Sequence, residues 1–281
     1  MFTLNCRGKL LRFTSPIVMG IINITPDSFY TGSRKKNIEE ALQKARQMIE
    51  EGASIIDIGG QSTRPGSEQI GAALEAERVL PVIEALHKEF AGIVISTDTY
   101  HASVAKQSVL AGAGMINDIS GGHYDKEMLA EVAKLGVPYI CMHMKGTPVT
   151  MQQNPFYKNV TRDVFDYFTE RTNAIRNSGI KDLIIDPGFG FGKNIAHNFE
   201  LLRNLSIFKM FKKPVLLGIS RKSTIYKTLG VSAEEALNGT TVLHTLGLAN
   251  GAVILRVHDV KEAIQTIKLF DEYRKKNSIE A

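Results

Sequence analysis

The sequence lacks the features that mark secreted, disulfide-linked or membrane-spanning proteins. Only two of its 281 residues are cysteines, and Cys6 and Cys141 lie far apart without a CxxC pair. No apolar run approaches the roughly 18 residues that cross a bilayer, and the opening MFTLNCRGKLLRF has neither the long apolar core nor the cleavage site of a signal peptide. We therefore expect two buried or half-buried free thiols, no disulfide, no membrane partner and a cytoplasmic location.

A concentrated positive charge is also lacking. The net charge is +5, but the lysines and arginines are spread along the chain, and the densest clusters, at 34–36 and 274–276, are short. A nucleic-acid-binding surface needs a clustered basic patch, so the composition argues against a nucleic-acid partner. The excess of positive charge fits an anionic small molecule better.

The chain does contain a repeated alternation of short β-rich runs and longer stretches of helical periodicity. Near-continuous apolar runs of this kind are typical of parallel strands that are buried on both faces. The eight runs are Ile17–Asn23, Ala53–Gly59, Gly92–Asp98, Gly114–Asp118, Val137–His143, Asp182–Asp186, Pro214–Ser220 and Ala252–His258. Eight such units in a chain of this length predict an α/β fold of the (β/α)8 TIM-barrel class.

A doubly wound sheet is the alternative architecture, but it normally has fewer strands and a glycine fingerprint after the first strand. No linker, repeat or low-complexity segment divides the chain, so residues 1–281 are expected to form a single domain. The segment before Ile17 is typical of a short β-hairpin around Arg7-Gly8-Lys9, which could plug the floor of the barrel.

Every run ends at or beside a polar or ionisable residue, and in a barrel these ends open on the face that carries the active site. Capping of the following helix would explain any one of them, but eight together are harder to explain in that way. Acceptors at Asp98, Asn117 and Asp186 suit a flat heterocycle whose guanidine-like edge can pair with a carboxylate. Cationic donors suit phosphate or pyrophosphate; they are Arg64, Lys222, Arg256 and His258.

The glycine run DPGFGFGK, residues 186–193, is not a phosphate loop. Its spacing fits neither the Walker A pattern nor the dinucleotide fingerprint. The run lies instead at the end of the sixth β-rich run, where Asp186 is the polar residue of the strand end, and its glycines allow the backbone to turn tightly. Lys193 is not expected to bind phosphate. Two loops rich in Gly, Pro, Ser and Thr, at 23–37 and 59–71, are candidate lids over the site.

Eight motifs, in order along the chain, resemble those of the dihydropteroate synthase family of pterin-binding TIM-barrel enzymes. They are MGIINITPDSF, DIGGQSTRPGSE, STDT, INDISGG, MH at Met142-His143, DPGFGFGK, GISRKS and ILRVHDV. The resemblance implies a transferase of folate biosynthesis that condenses (7,8-dihydropterin-6-yl)methyl diphosphate with 4-aminobenzoate, giving 7,8-dihydropteroate and pyrophosphate. It also implies a Mg²⁺ cofactor, a homodimer and competition by sulfonamides.

The resemblance further implies a role for each matched residue. The pterin would be bound by Asp98, Asn117, Met142, Asp186, Phe191 and Lys222; the diphosphate by Asn23, Arg64, Arg256 and His258, with Asn23 also meeting the metal; and the aminobenzoate by Phe29, Thr63, Pro65, Lys222 and Ser223. The residues with catalytic roles would be Lys222, Asp98, Asp186 and Arg256.

The implied reaction needs stabilisation of a leaving group rather than a strong base. Loss of pyrophosphate from a methylene on an electron-rich pterin leaves a resonance-stabilised cation, so an SN1-like route relies on Mg²⁺ and cationic side chains at the diphosphate. The arylamine is already neutral and nucleophilic near pH 7. Its carboxylate could be held by Ser223 and the N–H groups of the helix start that follows Lys222. Closed loops would keep water from intercepting the cation.

A second enzyme class shares part of the pattern. Methyltetrahydrofolate-dependent corrinoid methyltransferases resemble the chain at Asp98, Asn117 and Asp186, but they have no use for STRPG, the run 220–223 and Arg256-Val257-His258 together. A non-catalytic scaffold would be expected to lack site residues, which this chain keeps. The diphosphate-binding pattern is therefore what favours the synthase prediction over both alternatives.

Overall fold

The structure, a computed structural model, describes residues 1–24, 34–61, 69–147, 149–151 and 154–275. It begins with an antiparallel hairpin of β1 (Phe2–Cys6) and β2 (Lys9–Phe13). The two turn residues, Arg7 and Gly8, have φ angles of 56° and 83°, the left-handed pair that lets a two-residue turn match the twist of its strands. The predicted hairpin is therefore confirmed.

Eight parallel strands form the barrel. In chain order they are β3 (Ile17–Asn23), β4 (Ile55–Gly59), β5 (Val94–Asp98), β6 (Met115–Asp118), β7 (Tyr139–Met142), β8 (Leu183–Asp186), β9 (Leu216–Leu217) and β10 (Ile254–Val257). The strands are arranged in the order β8-β7-β6-β5-β4-β3-β10-β9, and a parallel bridge between Ile185 and Val215 joins the two ends. The predicted barrel and its eight strands are confirmed.

Helices follow the strands and bury one face against the barrel. They are α1 (Arg34–Glu50), α2 (Ala72–Glu89), α3 (Ala102–Ala111), α4 (Met128–Leu135), α5 (Val160–Ser178), α6 (Ile195–Arg203), α7 (Ser223–Leu229), α8 (Leu237–Ala249) and α9 (Val260–Arg274), with a 3₁₀ helix at Leu205–Phe211. In α2, the buried face includes Val79, Val82, Ile83 and Leu86, the spacing of an amphipathic helix. Within the described ranges, no helix has the length and apolar character needed to cross a membrane.

The floor of the barrel is an apolar layer that the hairpin covers. Each barrel strand contributes one buried side chain: Met19, Ile55, Val94, Met115, Ile140, Ile184, Leu216 and Ile254. Leu4, Cys6 and Phe13 of the hairpin pack against this layer, and the Asn5 N–H donates to the Asp182 carboxylate at 2.8 Å. The hairpin therefore closes the floor. Both cysteines are free and buried, as the sequence predicts.

The barrel interior changes from apolar to polar toward the carboxyl ends of the strands. Successive residues of a strand point to opposite faces, so the residue two positions beyond a floor residue faces the interior again. The resulting pairs are Ile55 and Asp57, Met115 and Asn117, Ile184 and Asp186, and Ile254 and Arg256. These polar side chains converge on one small volume at the mouth of the barrel.

Candidate active site

Acidic and amide side chains from neighbouring strands meet at the mouth of the barrel. Asp98 and Asn117 are register partners at the ends of β5 and β6, and the Asn117 Nδ2 donates to Asp57 Oδ2 at 3.1 Å. On the far side, Asp186 ends β8 opposite Met142. The three acceptors predicted for a donor-rich heterocycle thus all line the same opening.

Arg256 from β10 joins two of the carboxylates. Its Nη2 lies 2.6 Å from Asp57 Oδ2 and 2.7 Å from Asp98 Oδ2, and its Nε donates to Asp57 at 2.7 Å. Because buried charges are tolerated only when they are paired, Arg256 and the two aspartates depend on one another. In the free site, the guanidinium assigned to the diphosphate is held by aspartates.

Asp57 is a site residue to which the sequence assigns no role. It is fully buried, and one of its oxygens is shared by Arg256 and Asn117. Its other oxygen is buried without a hydrogen-bond partner in the described part of the chain. Asp57 lies two residues after Ile55 in the same strand, so its side chain faces the barrel interior. This spacing is the sequence feature that could have indicated a role for it.

Burial and mutual repulsion perturb the ionisation of these groups. Burial, opposed by the charge of Arg256, raises the pKa of Asp98 to about 7, and the proximity of Asp57 contributes to the rise. Burial also raises the pKa of Asp186, against the effect of Lys222. Burial lowers the pKa of Lys222 to about 8, although Asp186 opposes the change. Ionisable groups perturbed by burial and by specific charge partners are typical of functional sites.

Lys222 follows β9 and is held by the glycine run. Its Nζ donates to the Phe189 carbonyl and lies 4.5 Å from the centre of the Phe191 ring, within the range of a cation–π contact. A Cβ added at Gly218 would lie 3.7 Å from Asp186 Oδ2 and 3.9 Å from Lys222 Nζ. The absence of a side chain at Gly218 therefore leaves room between the carboxylate and the ammonium.

An apolar cluster forms one wall of the mouth. Met142 and Phe191, both predicted to pack on the pterin, are buried together with Tyr100, Ile119 and Met151. The last three are not among the predicted site residues. Ile119 belongs to the INDISGG motif, so the sequence could have predicted it as a site residue. Met151 comes from a long connection after β7, and its burial depends on tertiary packing that leaves no local pattern.

His258 is paired with Ser220 from the preceding strand end. The Ser220 Oγ lies 3.1 Å from His258 Nδ1 and accepts from the His258 backbone N–H at 3.3 Å. Desolvation, together with the charge of Arg256, lowers the pKa of His258 to about 4. A bound anion would favour protonation of the imidazole, which the sequence predicts to be a cationic donor.

Arg221 corrects the expectation that the whole run 220–223 serves the diphosphate. Its Nε and Nη2 donate to the two oxygens of Asp259, each at 2.8 Å. Its Nη1 donates to the carbonyls of Ala233 and Glu234 at 3.1 and 2.6 Å. Arg221 thus connects the end of β9 to the residues after β10, while Lys222 and Ser223, the first residue of α7, follow it toward the site.

Asn23 ends β3 and fits the single protein contact predicted for a metal that arrives on a diphosphate. A Cβ added at Gly59 would lie 3.2 Å from Asn23 Oδ1 and 3.9 Å from Asp98 Oδ2, so the amide oxygen is directed over the mouth. Amide and phosphate oxygens are the hard ligands that Mg²⁺ prefers, and Mg²⁺ keeps several waters. The described residues contain no group of three or more His, Cys, Asp or Glu that could hold a metal ion.

Four predicted site residues, Phe29, Thr63, Arg64 and Pro65, lie outside the described residues. They belong to the two loops predicted to be lids. The remaining predicted residues, from all three proposed subsites, lie at the carboxyl ends of the barrel strands or within the first six residues after them.

Comparisons with known proteins show similarity over most of the chain. The family model described as pterin binding enzyme matches residues 19–258. Dihydropteroate synthase of Escherichia coli K12 is 42% identical over 267 residues, which cover 94% of each chain. The Yersinia pestis dihydropteroate synthase structure with a sulfonamide drug complex has a TM-score of 0.91 at 41% identity, covering 97% of this chain and 99% of that one.

A third relative was solved with a pterin-containing compound. The Xanthomonas albilineans dihydropteroate synthase in complex with 7,8-dihydropteroate has a TM-score of 0.88 at 37% identity, and the match covers 98% of this chain and 99% of that chain. These similarities extend over the entire barrel rather than over the pterin motifs alone. They favour the synthase class over the corrinoid methyltransferases.

Proposed function

Because the chain belongs to the dihydropteroate synthase family, we propose that the mouth of its barrel joins (7,8-dihydropterin-6-yl)methyl diphosphate to 4-aminobenzoate. The carbon–oxygen bond to the diphosphate breaks and pyrophosphate leaves with the electron pair. The arylamine nitrogen then forms the new bond to the methylene and loses a proton, which yields 7,8-dihydropteroate. The single observation that carries this proposal is the convergence of Asp98, Asn117, Asp186 and Lys222 in the mouth, beside Arg256.

In this proposal, the pterin ring lies between the carboxylates and the apolar wall. Asp186 and Asp98 accept from its N–H groups, and Asn117, fixed by its bond to Asp57, presents its amide. Met142 and Phe191 pack on the ring face. The space left by Gly218, between Asp186 and Lys222, gives the ring access to both groups.

The diphosphate would lie across Asn23, Lys222, Arg256 and His258, with Arg64 as the residue implied from the second loop. Lys222 and Arg256 offset the negative charge that grows on the departing oxygen. When bound, Mg²⁺ would supply further neutralisation of that charge, with Asn23 as its protein ligand. For Arg256 to reach the diphosphate, the pterin must replace it on Asp98, because the guanidinium occupies that carboxylate in the free site.

The aminobenzoate would approach from the open side of Lys222. Ser223, half-buried at the start of α7, is the described residue proposed to hold its carboxylate. Phe29, Thr63 and Pro65 from the two loops are proposed to lie around the aminobenzoate. Sulfonamides carry an arylamine of similar shape and would compete for the same place. No base stronger than water or the departing pyrophosphate is needed, because the attacking amine is neutral.

The proposal is tested by supplying both substrates and Mg²⁺ and measuring pyrophosphate release together with dihydropteroate formation. We expect the two products in equal amounts, and we expect neither product without aminobenzoate beyond slow hydrolysis. Methyl transfer from methyltetrahydrofolate to cobalamin is the matched control reaction. Methyl transfer without dihydropteroate formation would contradict the proposal.

We also propose a cytoplasmic homodimer. Two buried free thiols fit a reducing compartment. Leu229 of α7 and Val242 and Leu246 of α8 are apolar side chains that are 54%, 52% and 47% accessible. Exposed apolar side chains on neighbouring helices can form a subunit contact. Light scattering should give twice the chain mass, and Leu246→Lys should shift the mass toward that of one chain.

A further inference from the structure

Lys193, the last residue of the glycine run, is a buried lysine that the reaction does not use. Only 2% of its surface is accessible, and no carboxylate of the described residues bonds to it. Its Nζ lies 2.9 Å from the Gly188 carbonyl, 3.1 Å from the Phe191 carbonyl and 2.9 Å from His143 Nδ1, with the His143 carbonyl at 3.4 Å. Carbonyl oxygens can only accept hydrogen bonds, so Nζ must be the donor to each of them.

These contacts close the run 188–193 into a loop around one nitrogen. The Phe191 N–H donates to the Gly188 carbonyl at 3.1 Å, and both of these residues also accept from Lys193. Gly188, Gly190 and Gly192 have φ angles of 72°, 81° and 64°, which residues with side chains rarely adopt. A Cβ at Gly188 would lie 1.9 Å from the His143 carbonyl oxygen, so the loop packs directly on the end of β7.

The same loop holds the groups proposed to bind the pterin. The Gly188 N–H donates to Asp186 Oδ1 at 2.8 Å, and the Asp186 carbonyl accepts from the His143 N–H at 3.0 Å. On its other side, the loop supplies the Phe189 carbonyl and the Phe191 ring that fix Lys222. Lys193 thus bonds to the backbone that positions one carboxylate, one aromatic ring and one ammonium of the site.

We infer that Lys193 is a positioning residue for the pterin subsite: its amino group joins the end of β7 to the glycine loop and thereby fixes Asp186, Phe191 and Lys222 in one arrangement. The inference rests on the proposed function and assigns to this lysine a role at the heterocycle rather than at the phosphate. It also explains why a lysine follows the glycines without a phosphate-loop spacing.

Lys193→Met tests the inference, because it keeps most of the side-chain volume and removes every donor. Lys158→Met is the matched control, since Lys158 is exposed and lies on the same long connection after β7. For each variant, calorimetry should measure the binding of 6-hydroxymethylpterin and, separately, of Mg²⁺ with pyrophosphate. Thermal unfolding should confirm that each variant is folded.

For Lys193→Met we expect pterin affinity to fall by about tenfold or more, because several hydrogen bonds that fix the subsite are lost. Pyrophosphate affinity, which depends on this loop only through Lys222, should fall by no more than about threefold. A selective loss of pyrophosphate affinity would overturn the inference in favour of a phosphate ligand. An equal loss of both affinities, or no loss of either, would show that Lys193 gives only general structural support, and this result would also overturn the inference.

If Lys193→Met does not fold, His143→Phe provides a second test, because it removes the ring nitrogen that hydrogen-bonds to Lys193 Nζ and keeps an aromatic ring. We expect a fall of about threefold or more in pterin affinity alone, for the loss of one hydrogen bond; unchanged pterin affinity would overturn the inference. A wild-type chain that binds neither ligand would instead contradict the proposed function, and that result needs no variant.

Discussion

The two ends of the barrel interior are built from the same eight strands but from opposite kinds of side chain. At the floor, each strand contributes one apolar residue to a layer sealed by the hairpin. At the mouth, two residues further along, Asp57, Asn117, Asp186 and Arg256 replace the apolar residues. The floor side chains are fully or almost fully buried, as are Asp57, Asn117 and Asp186 at the mouth, whereas Arg256 and Lys222 remain half-buried.

Because of this difference, residues of the same strand serve different purposes: the floor residue contributes to stability and the mouth residue to activity. Apolar burial at the floor stabilises the fold without needing partners. At the mouth, charged groups are held against the cost of burial, and their altered pKa values reflect that cost. We therefore expect substitutions at the floor to reduce stability and substitutions at the mouth to reduce activity, even where the two sites lie two residues apart.

The largest effect on activity is expected for Lys222→Met. Removal of the ammonium from the departing diphosphate should lower kcat/KM by about 10³-fold, or roughly 4 kcal/mol of transition-state stabilisation. Stability should not fall. Burial depresses the pKa of Lys222 from 10.5 to about 8, so the unfolded chain binds more protons between these values and the charge opposes folding at lower pH.

Steady-state kinetics and thermal unfolding of the same samples test this prediction. Wild-type stability should gain a contribution from this residue as the pH rises from about 8 toward 10.5, and Lys222→Met should lack that contribution. A variant that retains turnover, or one that loses turnover only because it unfolds, would contradict the assignment of Lys222 to the reaction.

Ile55→Ala should have the largest effect at the floor. Ile55 is fully buried under the hairpin, and truncation of such a side chain costs about 2–5 kcal/mol because it leaves a cavity. Denaturant unfolding measures this loss, and kcat/KM at a temperature well below the transition should stay near the wild-type value. Ile55→Val, with a much smaller cavity, is the matched control. A loss of turnover in the folded Ile55→Ala protein would contradict the assignment of stability to the floor and activity to the mouth.

The sequence was sufficient to predict the barrel, because apolar runs, strand-end polarity and the hairpin turn are local signals. It also indicated Asp98, Asn117 and Asp186 as convergent acceptors. It did not reveal that Arg256 bonds to Asp57 and Asp98, or that Arg221 bonds to Asp259 instead of facing the site. These pairings join residues that are 199, 158 and 38 positions apart, and only the closed barrel brings them together.

An intermediate effect is expected from pH, through Asp98. Burial raises its pKa to about 7, above the unfolded value of roughly 3.9, so its stabilising contribution is complete below about pH 4 and is lost as the pH rises toward 7. Pterin binding needs the ionised acceptor. Affinity for 6-hydroxymethylpterin should therefore fall by up to about tenfold per pH unit below 7. Calorimetry on the wild type and on Asp98→Asn, which should lack this dependence, checks the prediction.

The smallest effect is expected for Ser220→Ala. The hydroxyl bonds to both the backbone N–H and Nδ1 of His258, so its removal should loosen the imidazole without deleting a ligand. Loss of one such hydrogen bond is worth about 1 kcal/mol, or roughly a fivefold loss of affinity for Mg²⁺ with pyrophosphate. Pterin affinity should be unchanged. An equal loss of affinity for both ligands would contradict this prediction and show that Ser220 supports the mouth as a whole.

The separation between floor and mouth is tested most directly within β8, by measuring dihydropteroate formation and denaturant unfolding for Ile184→Ala and Asp186→Asn. For Asp186→Asn we expect kcat/KM to fall by about 10²-fold, which corresponds to the loss of roughly 3 kcal/mol of charge-assisted hydrogen bonding. The free energy of unfolding should not be reduced, because burial disfavours the charge of Asp186. For Ile184→Ala we expect a loss of about 2–5 kcal/mol in unfolding free energy and near wild-type turnover of the folded protein. The separation between floor and mouth would be contradicted if Ile184→Ala lost activity and Asp186→Asn lost stability, or if both variants lost activity and stability together.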